Sequence, residues 1–289
     1  MPIALALTAA AVWGAADFLG GVASRRIRAE QVLFVSQAVG LAALLIAILA
    51  IPGSPTKADL AWGAVGGILG NAGLYGLYRE LARGTASVVA PTTAVSAALT
   101  PVVVGLALGE TPGALTMTGV AIALVAVALL AGGEGHHADP TAALTVKIRR
   151  ALNTSFWVAI ASGLGFGAFY VALAQTSEEA GLWPLVASRA AAVVGLAMIP
   201  SVWRGIGGSP GRAVGVAAGA GVLDAAANAA YVTAVRAGSL TWVPVLSSLY
   251  PASTVILARV FQKQRLGRLH IAGLLLALAA IALVTAGSG

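Results

Sequence analysis

The feature that most constrains the fold is an internal repeat, in which residues 70–91 recur in related form as residues 223–244, 153 positions later. In each copy, polar side chains occur at i, i+4 and i+7, which places them on one face of a helix otherwise built from small and aliphatic residues. The repeat predicts a chain made of two related halves. The aligned pairs are Asn71 with Asp224, Tyr75 with Asn228, Tyr78 with Tyr231, Arg83 with Arg236 and Pro91 with Pro244.

The composition indicates that this repeat lies in a lipid bilayer. Hydrophobic residues make up 59% of the chain, charged residues only 9%, and the mean hydropathy is +0.93. A soluble protein of 289 residues could not cover so much apolar surface with 17 basic and 10 acidic side chains. We therefore predict an all-α integral membrane protein. The formal charge of +7 does not indicate a nucleic-acid partner, because the basic residues lie in short loops between apolar stretches.

Ten apolar stretches approach the roughly 20 residues that a helix needs to cross a bilayer. The longest loop, 132–153, separates a first five-helix repeat at 1–131 from a second at 154–289. Five spans is an odd number, so the two repeats are predicted to be inverted, as in alternating-access carriers. One chain then completes the pseudo-symmetric unit, and a monomer suffices. The predicted spans are 3–22, 31–51, 60–79, 85–108, 113–131, 154–175, 183–203, 212–234, 239–260 and 269–287.

The distribution of lysine and arginine predicts the orientation. Fourteen of the 17 basic residues follow odd-numbered spans, whereas Lys57 and Arg236 lie on the other side and Arg189 lies within a span. Cytoplasmic loops are enriched in lysine and arginine. The count therefore predicts an inner (plasma) membrane protein with both termini outside.

Apart from residues in the first or last two positions of a span, three charged residues lie within the predicted spans: Asp17, Arg189 and Asp224. Each such charge costs about 2.5–3.5 kcal/mol on insertion scales, and a pair between Arg189 and Asp224 would lower that cost. Two interpretations remain open for the pair. It is either a structural contact that fixes helix packing, or a site where Arg189 binds a substrate carboxylate and Asp224 binds an ammonium or a proton. Asp17 lies near a span end and is interpreted as an interfacial charge.

The two matched polar stripes predict a water-filled cavity, although any one of these residues can also join helices. The predicted lining from the stripes is Asn71, Tyr75, Tyr78, Asp224, Asn228 and Tyr231. Aromatic side chains supply candidate walls, while aromatic residues in spans more often pack or lie at the interface. These candidates are Trp13, Phe166, Phe169, Tyr170, Trp242 and Tyr250.

Prolines inside spans 4 and 9 each remove a backbone hydrogen bond and favour a kink. This pattern is typical of gating helices, and a fixed kink explains it equally well. The candidate gating prolines are Pro91, Pro244 and Pro251, with Pro101 in the same span as Pro91.

Enzyme chemistry finds no support in the sequence. The chain has no cysteine, which excludes disulfides and thiolate sites. His136 and His137 lie in the longest loop and are interpreted as solvated side chains. No phosphate-binding loop or nucleophile elbow occurs. We predict no catalytic residue, no metal and no cofactor.

Short motifs that follow one another in a specific order across the two halves carry a family resemblance. They are Trp13-Gly14 followed by Asp17-Phe18, the run from Ala86 to Pro91, the Gly109-Glu110 turn and the run from Ser247 to Pro251. With these motifs the chain resembles a ten-helix member of the drug/metabolite transporter superfamily with two EamA domains. The resemblance implies export of amino acids or related metabolites through a central cavity, running downhill or coupled to protons.

Two departures from the family pattern are visible. The second half has Gln264 where the first has the turn glutamate Glu110, which argues against a coupling role for that carboxylate in both halves. Many relatives are described with both termini in the cytoplasm, whereas the basic-residue count here predicts the reverse.

The sequence thus predicts a carrier that exports amino acids, aromatic and other neutral ones among them, or related small metabolites. Its predicted partners are the small-molecule substrate, the lipid bilayer and protons as candidate coupling ions. Three alternatives remain: a proton-coupled exporter of drugs or cationic compounds that uses Asp224, a membrane-embedded enzyme acting on lipid-linked substrates, and a scaffold without transport.

Overall fold

The computed structural model describes residues 1–81, 86–132, 154–204, 210–261 and 267–287, and these residues form helices and no strand. His136, His137 and Gln264 lie outside the described residues, as do the surroundings of the Tyr78 and Pro91 side chains. The helices are α1 (Pro2–Ser24), α2 (Ala29–Ala50), α3 (Lys57–Leu81), α4 (Ala86–Ala107), α5 (Ala114–Gly132), α6 (Thr154–Ala174), α7 (Trp183–Ala197), α8 (Pro200–Trp203), α9 (Gly211–Ala237), α10 (Val243–Ser247), α11 (Tyr250–Phe261) and α12 (Arg268–Gly287).

The all-helical membrane class is confirmed. Among the described residues, 7 helical stretches are suited by length and composition to cross a membrane, and Thr92–Ala107 and Trp183–Ala197 are shorter apolar helices. The count of ten spans, the inverted repeat and the division at the longest loop stay predictions.

Two predicted spans are interrupted. Span 7 ends at Ala197, and the short helix α8 then starts at Pro200. Span 9 is divided between α10 and α11, with Pro251 at the second position of α11. Proline cannot donate a backbone hydrogen bond to the preceding turn, so a new helix tolerates it best in its first turn. Span 4 remains one helix, α4, although it contains Pro91 and Pro101.

The break in span 9 is bridged by α1. On the α10 side, the Ser247 hydroxyl donates to the Ala6 carbonyl at 3.4 Å. On the α11 side, the Ser253 hydroxyl donates to the Ala10 carbonyl at 3.0 Å, and the Thr254 hydroxyl donates to the Gly14 carbonyl at 3.2 Å. The three acceptor carbonyls are four residues apart and therefore lie on one face of α1. Helix α1 thus acts as a splint, meaning that it is hydrogen-bonded to span 9 on both sides of the break.

The most extensive helix contacts join the two halves of the chain. Helix α1 packs on α9 and α11, α3 packs on α6 and α7, α4 packs on α6, and α5 packs on α12. In the order of the two halves, α1 corresponds to α6, α2 to α7, α3 to α9 and α5 to α12. Exchanging the halves therefore turns the α1–α9 contact into the α6–α3 contact, and the α2–α9 contact into the α7–α3 contact. The α2–α7 and α5–α12 contacts are each turned into themselves. The packing therefore depends on both halves being present.

Glycine allows the closest of these approaches. A Cβ atom on Gly67 of α3 would lie 2.3 Å from the Ser188 carbonyl oxygen of α7. A Cβ atom on Gly221 of α9 would lie 2.2 Å from the Ser36 carbonyl oxygen of α2. Small residues at helix crossings are typical of membrane bundles, where close backbone packing stabilises the assembly.

Candidate functional site

A partly buried polar cluster joins α2, α7 and α9. Arg189 of α7 forms an ion pair with the Asp224 carboxylate of α9 and donates a second hydrogen bond to the Gln37 side-chain oxygen of α2. The Arg189 side chain is 6% exposed and the Asp224 side chain 32% exposed. The structure thus brings together the two central ionisable residues singled out in the sequence, with the carboxylate on the more accessible side.

Asn228 extends this cluster by one helical turn. Its amide nitrogen donates to the Asp224 backbone carbonyl at 2.7 Å and to the Asp224 Oδ1 atom at 3.2 Å. Residues four apart share one face of a helix, so Asp224 and Asn228 present their side chains together. The Asp224 carboxylate therefore accepts hydrogen bonds from α7 and from its own helix.

Gln37 was missed by the sequence analysis. A shift of 152 positions aligns Ser36 with Ser188 and Gln37 with Arg189, so an extension of the repeat to spans 2 and 7 would have found it. The same helix crossing needs a small residue: a Cβ atom on Gly40 would lie 2.9 Å from the Gly221 carbonyl oxygen and 3.4 Å from Arg189 Nη1. Helix α2 is therefore in close contact both with the backbone of α9 and with the Arg189 side chain.

An aromatic cluster lies next to the polar one, where α1, α6 and α9 meet. The ring centroids of Trp13 and Tyr170 are 5.7 Å apart, those of Trp13 and Tyr231 are 5.6 Å apart, and those of Tyr170 and Tyr231 are 4.9 Å apart. Tyr231 is 0% exposed, and its hydroxyl donates to the Tyr170 carbonyl at 3.3 Å. Trp13 and Tyr231 are thus packed in the core, and their role as lining residues stays a prediction.

The remaining predicted site residues are more dispersed. Asn71 of α3 is half-buried, and its amide nitrogen donates to the Gly67 carbonyl at 2.7 Å. Tyr75 is 54% exposed, Trp242 is buried, and Tyr250 packs against the hydrophobic core at the start of α11. Pro244 and Pro251 are buried in α10 and α11. The binding and gating roles of all these residues stay predictions.

Glu110 holds the turn that precedes α10. Its carboxylate accepts hydrogen bonds from the Ser239 hydroxyl at 2.5 Å, the Leu240 amide at 2.8 Å, and both the amide and the hydroxyl of Thr241. Burial raises the pKa of the Glu110 carboxyl, but these hydrogen bonds outweigh burial and hold the pKa below its ordinary value of 4.5. Together with Trp242, Glu110 lines a cleft of about 710 Å³ at this end of the bundle.

This contact gives a pH-dependent prediction. A carboxyl group whose pKa is lowered by folding stabilises the protein above its ordinary pKa, and the contribution disappears as the pH falls through the folded-state pKa. We expect Glu110→Gln to lower the melting temperature near neutral pH, with a loss of stability of about 1 kcal/mol for this partly solvated site. The difference from wild type should shrink as the pH falls below 4.5.

Thermal melting of the purified protein between pH 3 and pH 8 measures this effect. Glu178→Gln is the matched control, because Glu178 is an exposed glutamate of the α6–α7 loop. A constant difference between Glu110→Gln and wild type across this pH range would contradict the assignment.

Comparisons with known proteins agree with this architecture. The family model described as the EamA-like transporter family matches residues 1–132 and 153–286. A solved structure, described only as the crystal structure of a protein, is 18% identical, covers 98% of this chain and 98% of its own, and superimposes with a TM-score of 0.72. At that identity the likeness shows the fold alone. A search of the curated proteins finds no significant match.

The resemblance read from the short motifs is confirmed by the family match. The matched residues cover nearly the whole chain in two stretches, one in each half. Members of this family are transporters rather than enzymes, and a small-molecule substrate and a lipid bilayer fit such a protein. The chain belongs to the EamA-like transporter family of the drug/metabolite transporter superfamily, and is a multi-pass membrane transporter of small metabolites.

Proposed function

We propose that this protein exports neutral amino acids, or closely related zwitterionic metabolites, by alternating access across the inner membrane, with its termini outside. The observation that carries the proposal is the Arg189–Asp224 ion pair, which places one positive and one negative group side by side within membrane-spanning helices. An α-amino acid carries the complementary charges, a carboxylate and an ammonium, at similarly short separation. Arg189 would bind the carboxylate, and Asp224 the ammonium.

Charge balance favours a zwitterion over a cation. The ion pair has no net charge, so a bound zwitterion leaves the site neutral. A cationic compound would leave an additional positive charge beside Arg189, and an unpaired buried charge costs several kcal/mol. In the alternative of a proton-coupled cation exporter, Asp224 would bind the cation and a proton in turn.

The packing of the helices supports the alternating-access part of the proposal. The principal contacts between helices are converted into one another when the two halves are exchanged, as expected of an inverted repeat. The polar cluster lies where α2 of the first half meets α7 and α9 of the second. A relative movement of the halves would therefore change the surroundings of Asp224.

Counterflow in proteoliposomes tests the proposal. We expect saturable exchange of radiolabelled neutral amino acids by the wild-type protein, and a decrease of about tenfold or more in Asp224→Asn, because a hydrogen bond to a charged group is lost at the site. Glu178→Gln, which removes a carboxylate from an exposed loop, should exchange like wild type. Parallel assays with and without an imposed proton gradient determine whether protons are coupled to transport.

A quaternary-ammonium drug in the same panel separates the alternatives. If the drug is moved and the amino acids are not, the protein is a cation exporter and the amino-acid proposal is wrong. If a correctly folded wild-type protein moves neither, the amino-acid proposal is wrong and the transported metabolite belongs to another chemical class.

A further inference from the structure

We propose that the side-chain oxygen of Asn228 acts with the Asp224 carboxylate as a pair of acceptors that selects substrates by the number of N–H groups on their amine. This inference rests on the proposed function and defines its substrate class more narrowly. The site would take primary amines and reject amines in which methyl groups replace the N–H donors.

The orientation of the Asn228 amide is fixed by its neighbours. Its Nδ2 atom lies 2.7 Å from the Asp224 carbonyl oxygen and 3.2 Å from the Asp224 Oδ1 atom. Both neighbours are acceptors, so the NH₂ group must face them, and a flipped amide would bring three oxygen atoms together. The Asn228 oxygen therefore points to the other side of the amide.

That oxygen has no hydrogen-bond donor among the residues that the structure describes, although Asn228 is only 4% exposed. Buried amide oxygens in proteins are nearly always hydrogen-bonded, and each exception calls for an explanation. In the described part of the chain, three buried side-chain polar atoms lack a partner: Asn71 Oδ1, Asn228 Oδ1 and Arg236 Nε. Two of the three are thus asparagine oxygens in the paired segments of the internal repeat.

A substrate ammonium has the chemistry that this oxygen needs. Asp224 offers a partly exposed carboxylate, and Asn228 adds an acceptor one helical turn away on the same face of α9. A primary ammonium carries three N–H donors and can serve both acceptors. A trimethylated nitrogen keeps the positive charge but has no donor, so it would leave the Asn228 oxygen buried and unsatisfied.

A series of N-methylated amino acids isolates this effect, because all its members are zwitterions and differ chiefly in the number of N–H groups. The probes are glycine with its N-methyl, N,N-dimethyl and N,N,N-trimethyl derivatives, and the corresponding series of phenylalanine. For each probe we would measure thermal stabilisation of the detergent-purified protein and competition in the counterflow assay.

In the wild type, we expect the probe concentration that gives half-maximal stabilisation or competition to rise by about tenfold or more from the primary to the trimethylated amine. In Asn228→Leu, which keeps the approximate size and removes the acceptor, the concentrations should converge. Thr233→Val is the matched control on α9: its exposed hydroxyl donates to the Ala229 carbonyl at 2.9 Å, away from the polar cluster. This control should keep the wild-type order. Asn228→Ala, in an alanine-rich helix, repeats the comparison if the leucine variant does not fold.

Three results would overturn the inference: equal concentrations across the series in the wild type, an unchanged order in the folded Asn228 variants, or no stabilisation by any probe. Its failure differs from failure of the proposed function. If amino acids are transported but N-methylation has no effect, only the role of Asn228 is wrong. If the probes stabilise the protein in the order of their N–H groups but are not transported, the proposal of amino-acid export is wrong and the binding site stands.

Discussion

We expect replacement of Arg189 with methionine to lower the free energy of unfolding by about 3 kcal/mol, because it leaves the Asp224 carboxylate without its cation. This value lies at the low end of the range for broken buried ion pairs, since the Asp224 side chain is 32% exposed. The Gln37 oxygen loses its donor in the same variant. Thermal or denaturant-induced melting of the purified protein, followed by tryptophan fluorescence, measures the loss.

Two further variants test this explanation. In Arg189→Met/Asp224→Leu, both charges are replaced by apolar groups, and most of the lost stability should return. Arg212→Met, at the exposed start of α9, removes an arginine that is not in the cluster and should have little effect. If the double variant is as unstable as the single one, the cost arises from lost packing and not from the unpaired carboxylate.

The second large effect is expected at the crossing of α2 and α9. In Gly221→Ala, the new Cβ atom would lie 2.2 Å from the Ser36 carbonyl oxygen, and a backbone atom cannot move aside as a flexible side chain can. The two helices must separate, at a cost of about 3 kcal/mol. Separation would also move Gln37, which follows Ser36, away from Arg189.

Gly215 provides the matched control on the same helix. A Cβ atom there meets nothing within 4 Å, so Gly215→Ala should be neutral or stabilise the protein by up to about 1 kcal/mol through its higher helix propensity. Melting temperatures of the two alanine variants give the comparison. Equal stability of both variants would mean that the close crossing does not exist in the membrane protein.

The positions of most helices could be predicted because an apolar run bounded by polar turns has a simple physical meaning in lipid. The predicted span 113–131 corresponds to α5 at Ala114–Gly132, and 269–287 corresponds to α12 at Arg268–Gly287. Proline alone could not locate the interruption. Spans 4 and 9 each contain two prolines, yet only span 9 is divided, because the surrounding helices decide whether a turn can be rebuilt.

The candidate site was predictable only in part, because its side chains come from segments far apart in the chain. The pairing of Arg189 with Asp224 followed from the cost of isolated charges in lipid. The third partner, Gln37, is uncharged and gives no such signal. Similarly, Glu110 was noticed as a motif residue, but its bonds to the turn before α10 depend on a tertiary approach that no local pattern encodes.

The splint formed by α1 has a consequence for biosynthesis. Helix α1 enters the membrane long before α9, α10 and α11, the helices that it packs against and joins by hydroxyl contacts. In a two-stage assembly, where spans insert first and associate later, α1 must remain in the bilayer while most of the chain is synthesised. The packing around α1 is then complete only after α11 has been inserted. A ribosome that stalls before α11 would leave behind an open bundle, exposed to the quality-control proteases of the membrane.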